Sequence, residues 1–383
     1  SGELKIDISA ATTQNSSAII VTGLNTNTTY RFLFNGTTTI KLATAATQTY
    51  AIRASATYVS GGQEPAKVLV GGTGFALGSV GTPVSGGLLS ITGGNNVTVD
   101  TGTVLSLYSA AANVTDGINV NSSLTTVIPT SFLNKGTINI LGTTTKNGIL
   151  LSPFSVAGVT NVINFENQNS INVDIIATGA TAAALQVPNN GTPSPASPGT
   201  LNITNTSGAV MTLKNNNPQT AATAGCAIRI FQNQHTANVN LTNNGTINFS
   251  GNNDNYGGQV ARTFFVNNSI INANYSCSNT TFTNNSNGVF NFSNSSATFT
   301  VLAAVAATEG AIYTDAAGNS FSVVTTKTGG TGTFLLLRRE NSIAAVTAAP
   351  ANLTKTSGTG DTTIAYTAVA TSISAIASTT TNH

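Results

Sequence analysis

The chain has 383 residues, of which only 7% are charged, against about 25% in an ordinary globular protein. Its net charge is +2, and its 14 basic residues are scattered save for one pair, Arg338-Arg339, which excludes an electrostatic footprint for nucleic acid. Ordinary disorder is excluded too, because disordered chains are charged and poor in the Val, Ile and Thr that abound here.

Residues 1–74 read as conventional strands. "ELKIDISA" alternates Leu4, Ile6 and Ile8 with Lys5, Asp7 and Ser9, giving one apolar and one polar face. "SAIIVTGL", "TYRFLFNG" and "TYAIRASATYV" follow, separated by Gly or Asn. "GLNTNTTYRFLF" resembles the Leu-x-x-x-Thr-x-Tyr corner of fibronectin-type domains, which implies a sandwich-like packing there. The opening "SGELKIDIS" carries no Met and no signal-peptide pattern, and reads as a processed N-terminus or an artificial start.

From about residue 75 the texture changes. Gly pairs (Gly86-Gly87, Gly93-Gly94) separate short strands such as "LLSITG" and "TVLSLYSA", predicting narrow coils with tight turns. A phrase then recurs: small-x-apolar-Asn-apolar, beginning at Gly136, Asn169, Gly199, Gly245, Ser269 and Gly288. Successive copies start 33, 30, 46, 24 and 19 residues apart. In four copies an apolar residue and a further Asn come just before, as in "FLNKG", "FENQN", "LTNNG" and "FVNNS". Such spacing predicts a solenoid whose extra residues bulge as loops at corners, for example 186–199 and 251–262. The apolar pair flanking each Asn is expected inward. Asn139, Asn172, Asn202, Asn248, Asn272 and Asn291 are expected to stack as ladders, facing outward or sitting at corners.

The phrase stops near residue 297. "AIYTDAAGNSFSVVTTKTGGTGTFLLLRR" predicts a three-strand meander turning at Asp315–Asn319 and Gly329–Gly332, with Val324, Phe334 and Leu336 among its core residues. A further hairpin is expected to turn at Gly358–Asp361. This end could cap the solenoid or make subunit contacts, because an open solenoid end exposes unpaired backbone.

Chemistry-bearing groups are sparse. Twelve carboxylates are spread along the chain, and Glu166 and Asp174 are the candidates that folding could bring together on the solenoid surface as the pair that glycoside hydrolysis needs, though the sequence does not require it. His235, with a distant acid such as Asp254, would have to serve any Ser-His-Asp arrangement, and no Gly-x-Ser-x-Gly motif supports one. "GGTGFALG" and "TGGTGTF" lack the Lys-Ser/Thr ending of a phosphate loop and read as turns. The oxygen-rich stretch Asn252, Asn253, Asp254 and Asn255 holds one carboxylate, and reads as a corner loop rather than a calcium site. Cys226 and Cys277 lack metal-ligand spacing, and a disulfide and two buried thiols stand as equal alternatives. No catalytic, cofactor-binding or metal-ligating residue is therefore assigned, and no cofactor is expected. No apolar run approaches the roughly 20 residues of a membrane span.

The recurring "NNGTINF"-type phrase over about residues 75–300 resembles the β-helical passenger regions of bacterial surface adhesins and autotransporters. That resemblance implies export to the cell surface. The tail is similar in style to small β-domains of phage and bacterial surface fibres.

The sequence thus predicts an all-β protein: a right-handed parallel β-helix, or solenoid, over 75–296, with a sandwich-like β region over 1–74 and a small meander-type β domain over 297–383. The expected role is that of a non-enzymatic, secreted structural protein, a self-assembling subunit of an extracellular filament, sheath or surface layer in adhesion or biofilm. Copies of itself are the expected partners, joined by strand addition of residues 2–10. The alternative is an adhesin or phage-type tail fibre that binds a receptor or surface glycans. Neither nucleic acid nor a membrane span is expected.

Overall fold

A computed structural model describes residues 3–8, 17–22, 29–42, 49–55, 66–122, 129–153, 161–188, 199–218, 225–230, 238–251, 255–256, 263–273, 277–278, 281–284, 288–292, 305–307, 312–314, 320–329 and 332–340, with side chains up to Asn272 save at 255–264. Strands are the only regular elements among them. One coil shows the plan. Ile118–Asn121 belongs to a first sheet, Thr130–Asn134 to a second and Thr137–Thr144 to a third, after which Ile149–Ser152 re-enters the first sheet one level up. Repetition of this path gives sheets of nine, ten and eleven strands, a β-solenoid in which each coil pairs in parallel with the coils on either side.

The core follows from the alternation of side chains along each strand. In the second sheet the inward row is Val97, Phe132, Phe165, Ile203, Leu241 and Phe265, all essentially solvent-free. Phe132 and Phe165 stack with ring centroids 5.0 Å apart. Leu105, Ile138, Ile171, Met211, Ile247 and Ile271 form the matching row of the third sheet. The apolar residues that flank the recurring Asn, such as Ile138 and Ile140, are buried as expected. Inward side chains therefore stack on apolar neighbours in the coils above and below, which is how a narrow coil reaches interior packing density without a wide core.

The stack begins well before residue 75. Ser17–Val21 and Tyr50–Ser55 pair in parallel and lead the first sheet, and Thr29–Phe34 leads the second through its pairing with Lys67–Gly72. The N-terminal region is thus architecturally continuous with the solenoid over its described residues, and the sandwich-like corner expected at "TYRFLF" is a parallel coil instead. The reason lies at one position. The turn from second to third sheet is built around Asn from residue 134 onward, whereas the equivalent position in earlier coils holds Phe32, Val70 and Val99. The recurring phrase records that corner, not the whole solenoid.

At the far end Val305–Ala307 and Ile312–Thr314 still pair in parallel with solenoid strands. Ser320–Gly329 and Gly332–Glu340 then fold back antiparallel, completing the expected meander at the level of the backbone, with Gly329 opposite Gly332 at its turn. The side chains of Val324, Phe334 and Leu336, and the hairpin expected at Gly358–Asp361, lie outside the described residues.

Candidate functional site

The corner between second and third sheets carries the most regular polar arrangement in the molecule. Asn134, Asn167, Asn205, Asn243 and Asn267 stand in register on successive coils and are fully buried. Each side-chain Nδ2 donates to the Oδ1 of the next: Asn134 to Asn167 at 2.8 Å, Asn167 to Asn205 and Asn205 to Asn243 at 2.9 Å, and Asn243 to Asn267 at 2.8 Å. The same nitrogens reach a carbonyl of the coil above, on Ser170, Val210, Thr246 and Ile270 in turn. Their Oδ1 atoms accept backbone N–H two residues on, as at Gly136 and Gly245. The short amide side chain satisfies corner groups that the sheet ladders leave over, so it works here as a fastening between coils.

The six Asn of the recurring phrase divide differently. Asn139, Asn172, Asn248 and Asn272 share one outward row of the third sheet with Ser106 and Thr212, and Asn291 takes the next register position beyond Asn272. Asn139 donates to Ser106 Oγ at 3.2 Å, Asn248 to Thr212 Oγ1 at 3.1 Å and Asn272 to Asn248 Oδ1 at 2.7 Å. Asn202 lies in the second sheet instead, stacked between Asn164 and Asn240 at 2.9 and 3.0 Å. The copy at Gly199 thus belongs to the second sheet, and its third-sheet equivalent is Ala209-Val210-Met211-Thr212-Leu213. The buried corner ladder shows the real repeat lengths, 33, 38, 38 and 24 residues. Asn205 went unassigned in the sequence because its coil carries Thr212 in place of the outward Asn. The apolar-x-Asn triplet was its available signal.

Titratable groups are dispersed over this frame. Glu166 and Asp174 stand on adjacent sheets, on opposite sides of the Asn167 corner, each with its own partner. Gln168 Nε2 donates to Glu166 at 2.6 Å, while Asp174 pairs with Lys214 at 3.0 Å and accepts from Asn216 at 2.7 Å. Asp116 is buried where the chain turns from third to first sheet, and its Oδ1 accepts from both Asn147 N at 3.1 Å and Asn147 Nδ2 at 2.8 Å. Desolvation raises its pKa, and those hydrogen bonds offset part of the rise. Burial also pushes the Tyr50 hydroxyl upward, with the nearby Asp116 charge adding to the effect. No cluster of three His, Cys, Asp or Glu suited to a metal occurs among the described residues. His235, Asn252, Asn253 and Asp254 lie outside them. The Gly-rich 71–78 stretch, expected to be a turn, is one only at Thr73: Gly71 and Gly72 end the strand Lys67–Gly72, and Gly74–Leu77 is the next strand.

Cys226 is buried. Cys277 pairs with Asn255, next to Tyr256, whose partner one coil below is Arg229. Two strand spacings of about 4.8 Å put Cys277 about 10 Å from that coil, beyond the roughly 7 Å Cα separation a disulfide spans. That separation does not fit a disulfide between the two, and the burial of the Cys277 side chain lies outside the described residues.

The outward rows and the two ends remain as the surfaces able to engage other molecules. At the N-terminal end Leu4, Ile20 and Leu33 are 44%, 52% and 56% exposed, and Ile6, Ile19, Tyr30 and Phe32 pack only partly against the core. No described helix is long and apolar enough to cross a membrane. The chain matches no family model, no curated protein and no solved structure.

Proposed function

We propose that the chain is a non-enzymatic structural protein, a self-assembling subunit of an extracellular filament, sheath or surface layer that serves adhesion or biofilm. The observation that carries this reading is the apolar N-terminal end of the coil stack, where, among the described residues, the core tapers to half-buried side chains. Solenoids need their ends covered, and a further copy is one cover. The outward rows support the reading as well. They consist mainly of Asn, Thr and Ser, which put little charge in the way of close approach between copies.

Negative-stain microscopy of native material tests the proposal, together with sedimentation over a range of concentrations. Open-ended polymers of uniform width are expected, and a monomer at every concentration overturns the reading. The amide and hydroxyl rows of the second and third sheets favour a second reading, an adhesin or tail fibre that hydrogen-bonds surface glycans. SDS-resistant trimers that bind cells would decide for it.

A further inference from the structure

The third sheet ends at Gly332–Glu340, the outermost strand in its order. Its direction follows from two reversals. Ile312–Thr314 runs parallel to the solenoid strand Val289–Phe292. Ser320–Gly329 is antiparallel to Ile312–Thr314, and Gly332–Glu340 is antiparallel to Ser320–Gly329. The last strand therefore runs the same way as the solenoid strands. At the opposite end Leu4–Asp7 pairs in parallel with Thr38–Lys41. Thr38–Lys41 follows Thr29–Phe34 as Gly74–Leu77 follows Lys67–Gly72, and it lies against Gly74–Leu77. Leu4–Asp7 thus occupies the third-sheet position of the first coil. Both extremities of that sheet carry strands of one polarity, each paired on one side only among the described residues.

We infer that copies of this chain stack head to tail, Leu4–Asp7 of one adding in parallel to the free edge of Gly332–Glu340 of the next. The inference rests on the reading of the protein as a self-assembling subunit and supplies its joint. Matching polarity lets the sheet continue through the joint with the parallel pairing it has inside each copy. The register that sets Leu4–Asp7 against Leu335–Arg338 places Asp7 opposite Arg338, and Leu4 and Ile6 opposite Leu335 and Leu337. It is complementary in charge and apolar where the N-terminal strand is apolar. The inward rows end at this extremity in Ile6, Ile19, Tyr30 and Phe32, which are only partly buried and which a second copy stacked on the end would cover. Two different patches meet in such a contact, so it propagates without closing and yields filaments.

The backbone chooses the variant. Leu4 N donates to Thr37 O and Ile8 N to Lys41 O within the chain, so by strand alternation the amide of Lys5 faces the free edge. Lys5→Pro removes that donor and leaves the internal pairing. With folding checked by circular dichroism, Lys5→Pro alone is expected to stay monomeric. Added to wild-type protein it is expected to shorten the polymers in proportion, because its other end is intact. A second pair guards against local misfolding. Asp7→Arg and Arg338→Asp should each raise the critical concentration about fivefold, and the double variant should restore it. Wild-type-length polymers from Lys5→Pro overturn the inference while leaving the functional reading in place. An absence of wild-type polymers overturns the reading itself. A double variant no better than its parents overturns the register.

Discussion

Asn167 and Asn172 lie five residues apart and look alike in the sequence, yet they have opposite roles. Asn167 is buried, donates to Asn205 Oδ1 and Val210 O, and accepts from Asn134. Asn172 faces outward beside Asn139. Truncation of Asn167 strands the Asn205 oxygen and a carbonyl in a water-free corner, at about 1–3 kcal/mol for each group. Asn167→Ala should therefore cost about 3 kcal/mol by denaturant unfolding, and Asn172→Ala less than about 0.5 kcal/mol. Equal losses would show that the corner row is not the fastening. Asn205 and Asn267, both in Asn-x-Ser/Thr triplets, are shielded in this ladder from any modifying enzyme in the folded state. That an Asn ladder exists was legible in the recurring phrase. Which Asn forms it was not, because burial at a corner depends on where the second sheet ends, and alternation alone does not mark that residue. Asp116 makes a separate prediction. Burial raises its pKa above the ordinary 3.8, so the folded state holds its proton to higher pH than the unfolded chain does. Stability then falls as pH rises from about 4 to the raised value and levels off above it. Asp116→Asn keeps an oxygen for Asn147 and removes the charge. Its melting temperature should match wild type near pH 3 and exceed it at pH 7. A difference that does not change with pH would refute the assignment.

At the scale of the element, corners and strands obey different rules. Strand content was readable because period-two alternation and β-branched residues signal it locally. Sheet membership was not readable, and the copy at Gly199 shows why: the same five-residue pattern suits an outward-facing stretch on either sheet. The N-terminal coils were set apart for a related reason, since their corner position is filled by Phe32, Val70 and Val99, and the solenoid path leaves no phrase there. Glycines divide along the same line. Gly148 sits where the chain re-enters the first sheet, and a Cβ there would lie 2.7 Å from Ala184 O and closer still to the Val173 side chain. Gly208 has φ +78° with open space around it, so what it needs is a left-handed conformation rather than the absence of a side chain. Gly148→Ala should cost about 3 kcal/mol through overpacking. Gly208→Asn should be nearly neutral, because Asn tolerates that region of backbone space. Thermal unfolding of the two variants side by side checks both, and a neutral Gly148→Ala would mean that coils approach less closely than they do here.

The whole molecule behaves as a one-dimensional array. Each coil touches the coils above and below, so stability should be a sum of coil terms and neighbour terms, with no element irreplaceable. The repeat lengths sharpen this. Asn167 and Asn205 are 38 residues apart, and Phe165 is the register partner of Ile203. Excision of 166–203 joins Phe165 to Thr204 and preserves the sequence apolar-polar-Asn that enters the corner. Ile138 then faces Met211, and Ile149 faces Ile228, the pairs that formerly enclosed Ile171 and Leu185. Every inward row keeps its alternation with one member fewer. An excision one residue shorter, of 166–202, joins Phe165 to Ile203 and sets two inward residues in succession. From that point the strand must either expose an apolar side chain or push a polar one into the core, because a one-residue slip exchanges the two faces of a strand. The longer excision should leave a folded, cooperatively melting protein with β-rich circular dichroism, somewhat less stable than the parent. The shorter one should be strongly destabilised or insoluble although it removes less of the chain. Corner loops of 24- to 38-residue coils already absorb differences in length, so the contrast depends on placing the junction inside a strand. Equal stability of the two proteins would mean that strands slip freely and that the coil is not the unit of construction. The predicted order sets the register as the quantity that defines this fold, and it is the same quantity through which one copy could continue into the next.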